Sequence, residues 1–236
     1  MISKLNWLKK VFWFVILSTA YFIIAQQISY SQSGTSIGIK AGEGFSRYYF
    51  IRIDQGHISQ SYIPVFQTGL VFSQINKKNC GIQFEINYIQ KGWKQTFDSE
   101  PTTYSVKMDN IEFPFLTHFR LGKKKSAIII NMGLHFSYAY NLKVDSLGSA
   151  LDTIALHYGN LKLSPFDYGL DIGLGYEFGR DRGVFQVQLM FSQGLSNFIN
   201  RDTQDPLVIY RSINQSLFLS CVYKIPLTRK KKASPN

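Results

Sequence analysis

Ten ionisable side chains stand out once the extended runs of this chain are divided into alternate faces: Lys40, Glu85, Lys91, Glu112, His118, Arg120, His135, Asp171, Glu177 and Lys224. Successive strand side chains point to opposite sides, and each of these lies on the side away from the large apolar residues. Gathered together, such groups could line a polar conduit or handle protons. They could also neutralise one another as a filling network, because buried charges need partners, and that is the reading adopted. Asp171 and Glu177 are six positions apart on one strand, roughly 20 Å by strand rise, too far to act as a paired acid and base. His135 and Ser137 share a face at i, i+2, the spacing of a nucleophilic dyad, but the sequence offers no orienting acid or oxyanion site. Two cysteines, Cys80 and Cys221, with no CxxC or Cys/His spacing, give neither a disulfide framework nor a metal site, and no cofactor is expected. His57, His157, the segment Asp98 to Pro101, Asp145 and Asp152 fall in loops and read as solvated.

The elements that position these groups are strands. From Phe166 to Gly179 the chain reads FDYGLDIGLGYEFG. Every second residue is apolar with aromatics at both ends, and the positions between hold only carboxylates and glycines. A water-facing strand side would carry Lys, Thr or Ser. An aliphatic middle with aromatic ends suits a lipid-facing strand, and the glycines leave room inside a narrow barrel. The pattern recurs at Ile128 to Tyr140 and Phe185 to Phe191. Near the end, Leu217, Leu219, Cys221 and Tyr223 face out, while Phe218 and Val222 share the inner face with Asn214, Ser216, Ser220 and Lys224.

Eight strand-like runs follow one another, at about 35–47, 61–74, 80–92, 106–121, 126–141, 164–179, 183–194 and 212–225. Pro64 lacks a ladder donor and belongs near a strand end or bulge. The gaps alternate strictly between short and long, the long ones being 48–60, 93–105, 142–163 and 195–211, which is the loop pattern of an outer-membrane barrel with its tight turns in the periplasm. Phe166 then marks the outer interface and Phe178 the periplasmic one. Trp93, Phe97 and Tyr104 around one long loop, and Tyr48, Tyr49 and Phe50 leading into another, read as interfacial aromatics.

Three lysines followed by the uncharged run Val11 to Ala25 predict a secretory signal peptide over residues 1–31, cleaved after Ala25 or Ser31; an uncleaved anchor is the alternative. The barrel domain covers 32–225 and a basic tail 226–236. The net charge of +11 is concentrated in leader, turns and tail, which argues against nucleic-acid binding. Aromatics reach 15% and charged residues only 17%, a balance that suits a β protein with a large apolar surface.

IGIKAGEGFS from Ile37 to Ser46, GIQFEINYIQKGWK from Gly81 to Lys94, NIEFPFLTHF from Asn110 to Phe119 and LDIGLGYEFG from Leu170 to Gly179 resemble the outer-membrane β-barrel proteins of the Bacteroidetes type, the porin-family or PorT-like proteins. The resemblance implies an all-β, eight-stranded, antiparallel, up-and-down transmembrane barrel in the outer membrane of a Gram-negative bacterium, and one member type is similar to an accessory of protein secretion. The expectation is a non-enzymatic structural or interaction protein, surrounded by outer-membrane lipid and meeting a protein partner through its long loops or periplasmic turns. A small-solute channel is the first alternative. A lipid-modifying enzyme and a soluble exported barrel for an apolar ligand follow.

Overall fold

The computed structural model describes residues 34–52, 58–75, 79–97, 102–123, 126–147, 162–179, 183–200 and 209–227. They form β1 (Gly34–Arg52), β2 (Ile58–Ser61), β3 (Ile63–Ile75), β4 (Cys80–Phe97), β5 (Thr102–Lys123), β6 (Ser126–Leu147), β7 (Lys162–Leu163), β8 (Phe166–Gly179), β9 (Val184–Gly194), β10 (Ile199–Asn200) and β11 (Ile209–Pro226). The eight long strands pair antiparallel with their sequence neighbours, and β1 closes onto β11. From Ser36 the register runs through Ser73, Gln83, Leu116, Gly133, Asp171, Ser192 and Ser216 and returns to β1 at Ser46, ten residues further along. That stagger on eight strands corresponds to a tilt of about 40–45° and a narrow barrel whose interior is filled by side chains.

The strands run longer than the alternating pattern suggests, chiefly at the wider-looped end. β4 and β5 stay paired out to Phe97 and Thr102, leaving only residues 98–101 between them. The strict alternation of loop lengths therefore fails there. A ladder continues wherever both faces find company, and here Trp93 and Val106 bury themselves inside. Asp145 likewise belongs to β6, opposite Ser105, and not to a loop. Pro64 sits one residue into β3, where β3 pairs with β1 but its ladder to β4 starts only at Gln67. The missing N–H thus costs no hydrogen bond on that side. At the opposite end, Asn79 and Gly179 take left-handed backbone (φ 60 and 116) beside two of the tight turns.

The outer wall is apolar. All seven alternate residues from Phe166 to Phe178 are 47–66% exposed, and Ile39, Phe45, Leu70, Phe115, Met132, Phe136, Leu189 and Leu219 continue the surface round the barrel. An apolar surface of this extent running round the barrel is that of a wall set in a bilayer. From Phe166 to Phe178 a tilted strand rises about 25–30 Å, the height of a bilayer's hydrocarbon band. Above it the wall turns polar: Tyr88 donates to Asp109 at 2.6 Å, and Gln90 and Asn141 donate to the same carboxylate at 3.1 and 2.8 Å.

Candidate functional site

The alternation that sends apolar residues outward sends all ten predicted ionisable residues into the lumen, where every one except Arg120 is buried. They do not form one continuous network. The register sorts them into four clusters along the axis.

At the tight-turn end, Glu177 on β8 pairs with Arg120 on β5 and with Lys224 on β11, the latter at 3.4 Å. Each cation reaches over one intervening strand. Arg120 passes β6 where Ala127 lies directly opposite Glu177, so a small side chain clears the path. The Lys224 side chain is 2% exposed and that of Arg120 18%, which leaves the lysine wholly dependent on its carboxylate. Just beside them His118 Nδ1 lies 2.6 Å from Asn131 Oδ1, Asn131 donates to Gln188 at 3.0 Å, and Gln186 donates to the same Gln188 oxygen at 2.6 Å.

Above this layer Lys40 on β1 meets Glu85 on β4 at 2.8 Å, with β3 between them. Gly69 lies opposite Lys40 on that middle strand, and the absence of a side chain there is what lets the ammonium cross. Glu85 also accepts from Gln83 at 2.6 Å and Asn87 at 2.8 Å, so its charge is held by three donors. His135 Nδ1 contacts Asp171 Oδ1 at 2.7 Å. Gly169 faces the ring of His135, and a Cβ there would lie 2.6 Å from Cε1. Higher still, Lys91 spans from β4 to Glu112 on β5 at 2.8 Å and across the lumen to Asp167 on β8 at 3.4 Å.

The wide-looped end is closed by rings, not charges. Tyr48, Trp93 and Phe198 are buried at 3–6% exposure, with ring centroids 5.0 Å (Tyr48–Trp93), 5.2 Å (Tyr48–Phe198) and 5.9 Å (Trp93–Phe198) apart. Ile63, Val65, Ile89 and Phe218 form an apolar layer of the same lumen. Phe198 comes from the segment after β9, which is fastened across the mouth by Leu195 N to Tyr168 O (2.8 Å), Ser196 Oγ to Asp167 Oδ1 (2.6 Å), Ser164 N to Phe198 O (2.7 Å) and Phe198 N to Ser212 O (3.1 Å). This corrects the interfacial reading of Tyr48 and Trp93, which point inward; Tyr49, next to Tyr48, does face out. An aromatic at a strand end serves the lumen or the interface according to its parity, and Tyr48 and Trp93 share the parity of Lys40 and Lys91. Phe198 carried no strand pattern and was legible only as part of a long loop.

The His135 and Ser137 pair gains in the structure the acid that the sequence did not supply, since Asp171 holds His135 Nδ1. It still lacks the decisive contact. Among the described residues His135 Nε2 and Ser137 Oγ have no hydrogen-bond partner and do not bond to each other, so the proton transfer that activates a serine has no path there. Among the described residues no group of three His, Cys, Asp or Glu could hold a metal ion. The side chains of Phe50, Phe97 and Tyr104, the loop residues His57, His157, 98–101 and Asp152, the leader and the basic tail from 228 onward lie outside the residues described.

The chain is similar in structure to the outer membrane protein OprG from Pseudomonas aeruginosa, at 12% identity and TM-score 0.46, covering 82% of this chain and 92% of that one. It is also similar to Neisserial surface protein A, NspA (8% identity, TM-score 0.40, 80% and 96% covered), and to Ail, the attachment invasion locus protein of Yersinia pestis (12%, 0.39, 82% and 100%). No curated protein sequence matches this one. The sequence itself matches, over residues 24–200, the model of a family described as the outer membrane protein beta-barrel domain. The chain belongs to that family, and it is an outer-membrane β-barrel protein of a Gram-negative bacterium.

Proposed function

We propose that this barrel is a non-conducting, non-enzymatic anchor that holds its loops and turns against a protein partner at one or both faces of the outer membrane. The observation that carries this reading is the double closure of the lumen, by the Tyr48–Trp93–Phe198 rings at one end and the Arg120–Glu177–Lys224 ion pairs at the other. Loops held on a rigid scaffold are where such a protein keeps its specificity. The finer role, an accessory of protein secretion, rests on the PorT-like resemblance of the runs beginning at Ile37, Gly81, Asn110 and Leu170.

Single-channel recording in planar bilayers tests the closure. The reconstituted barrel is expected to stay at background conductance, and steady unitary currents from the folded protein would replace this reading with the small-solute channel. Mild crosslinking in intact cells tests the anchor role: a defined partner is expected, and deletion of residues 148–161 shows whether the β6–β7 connection recruits it.

A further inference from the structure

Among the described residues, one ionisable side chain interrupts the middle of the apolar wall. On β1 the outward positions run Ile37, Ile39, Ala41, Glu43, Phe45, Arg47 and Tyr49, and Glu43 is exposed on the lipid side between exposed Ile39 (64%) and Phe45 (56%). Its register neighbours are Phe66 on β3 and Leu219 on β11, themselves 44% and 57% exposed, so the carboxyl stands inside the hydrocarbon band with apolar groups on every side. No side chain among the described residues bonds to it. Thr68, the nearest hydroxyl in the pattern, donates to the backbone oxygen of Lys40 at 3.1 Å. Arg47, four positions up and about 13 Å away by strand rise, is bound to Gln215 at 3.0 and 2.7 Å and lies 4.6 Å over the Tyr62 ring.

An unpartnered ionisable group at that depth is costly for a monomer and marks a function. The surface beside it is also unlike the rest of the wall. Thr68, Ala41 and Cys221 face one another in register across β3, β1 and β11, all exposed and all small, and they form a shallow notch just below Glu43 among large aliphatic and aromatic side chains.

We propose that the β3–β1–β11 face is a dimer interface, occupied by the same face of a second copy of this chain, with Glu43 paired to Glu43 across it. The argument is self-complementarity. A two-fold axis normal to the membrane places the two Glu43 side chains at the same depth, as any isologous contact of two barrels in one bilayer must. A protonated carboxyl is both donor and acceptor, so two of them satisfy each other in a ring of two hydrogen bonds with no further group. The Thr68–Ala41–Cys221 notch lets the two walls approach closely enough for the carboxyls to meet.

The test counts subunits. Full-length chain labelled on its C-terminal tail is reconstituted at low density in phospholipid vesicles, bleached molecule by molecule, and each variant is checked for folding by heat-dependent gel migration. The wild type is expected to bleach in two steps. Glu43→Leu is expected to weaken association at least about tenfold, as the loss of buried hydrogen bonds implies. Glu43→Gln, whose amide is also donor and acceptor, should retain the dimer, whereas Ala41→Trp should abolish it by filling the notch with the carboxyl intact. A folded wild type that bleaches only in single steps at every density, or Glu43→Leu dimers as stable as wild type, overturns the proposal. Loss of the dimer in Glu43→Gln overturns the carboxyl ring.

Discussion

The two ends of the lumen are sealed by opposite means. At the tight-turn end one carboxylate, Glu177, stands between two cations reaching in from strands on either side, while at the other end three aromatic rings pack at 5.0–5.9 Å with a loop residue laid over them. The charged seal belongs wholly to the strands and is all or none: remove the anion and two cations remain in a place with little water. The aromatic seal is additive, and each ring contributes its share of buried area. Glu177→Ala therefore gives the largest effect expected from any single change in the lumen, a loss of about 3–5 kcal/mol, measured by urea unfolding in detergent micelles. Replacing Glu177 and Lys224 together by Met should restore most of that loss, because Arg120 is exposed enough to find water and Lys224 is not. A double variant as unstable as the single one would show that the ion pairs are not what holds that end.

Trp93→Ala tests the other seal. Truncating a buried tryptophan costs about 3–5 kcal/mol from lost transfer energy and the cavity left behind, at or below the effect of Glu177→Ala. The difference in kind lies in where the damage appears. Phe198 loses one of its two ring partners, so limited proteolysis should begin to cut within residues 195–200, which Glu177→Ala leaves protected at the far end of the barrel. Equal protection of that segment in both variants would break the distinction between a seal made by strands and a seal made by a loop.

Which of these features a reader of the sequence can anticipate follows from the distance over which the information acts. The side of the wall on which Lys40, His135 or Asp171 lies depends only on the parity of its own strand, so all ten lumen residues are legible. Their partners are not. Lys40 meets Glu85 past an intervening strand because the β1–β3–β4 register sets Lys40 level with Asn87, two residues from Glu85, and the glycine at position 69 clears the path, and neither alternation nor spacing encodes that register. The aromatic seal fails for a second reason. Tyr48 and Trp93 follow the inward parity, but their strands end later than turn-like composition suggests, and Phe198 reaches the lumen from a segment with no period at all. Glu43 is the reverse case, plainly on the outer face by parity and notable only once its surroundings are known to be lipid.

A finer contrast lies within the Lys40–Glu85 pair. Glu85→Met strips Lys40 of its ion-pair partner and leaves an ammonium buried at 3% exposure, for which a loss of about 3–4 kcal/mol is expected. Lys40→Met leaves the Glu85 carboxylate with the amides of Gln83 and Asn87, and about 1–2 kcal/mol should go. Measured side by side in the same unfolding assay, the two values must differ in that order. Equal losses would mean that the amides do not support the carboxylate and that only the ion pair counts.

Ser137→Ala should have the smallest effect, and its sign is informative. The hydroxyl is buried at 3% exposure and has no hydrogen-bond partner among the described residues, so removing it deletes an unsatisfied polar atom and leaves a void of only one oxygen atom. The expected change is between zero and a gain of about 1 kcal/mol. The same variant weighs the one catalytic reading that the lumen invites, because Ser137, His135 and Asp171 supply the residue types of an acyl-transfer triad with the Asp–His contact made and the Ser–His contact absent. A triad that acts would lose its product on Ser137→Ala while folding is kept, visible as a changed outer-membrane lipid profile by mass spectrometry. An unchanged profile together with unchanged or slightly raised stability leaves Ser137 as lumen filling, and leaves Asp171 with the role its geometry already gives it, the hydrogen-bond partner that holds His135 Nδ1.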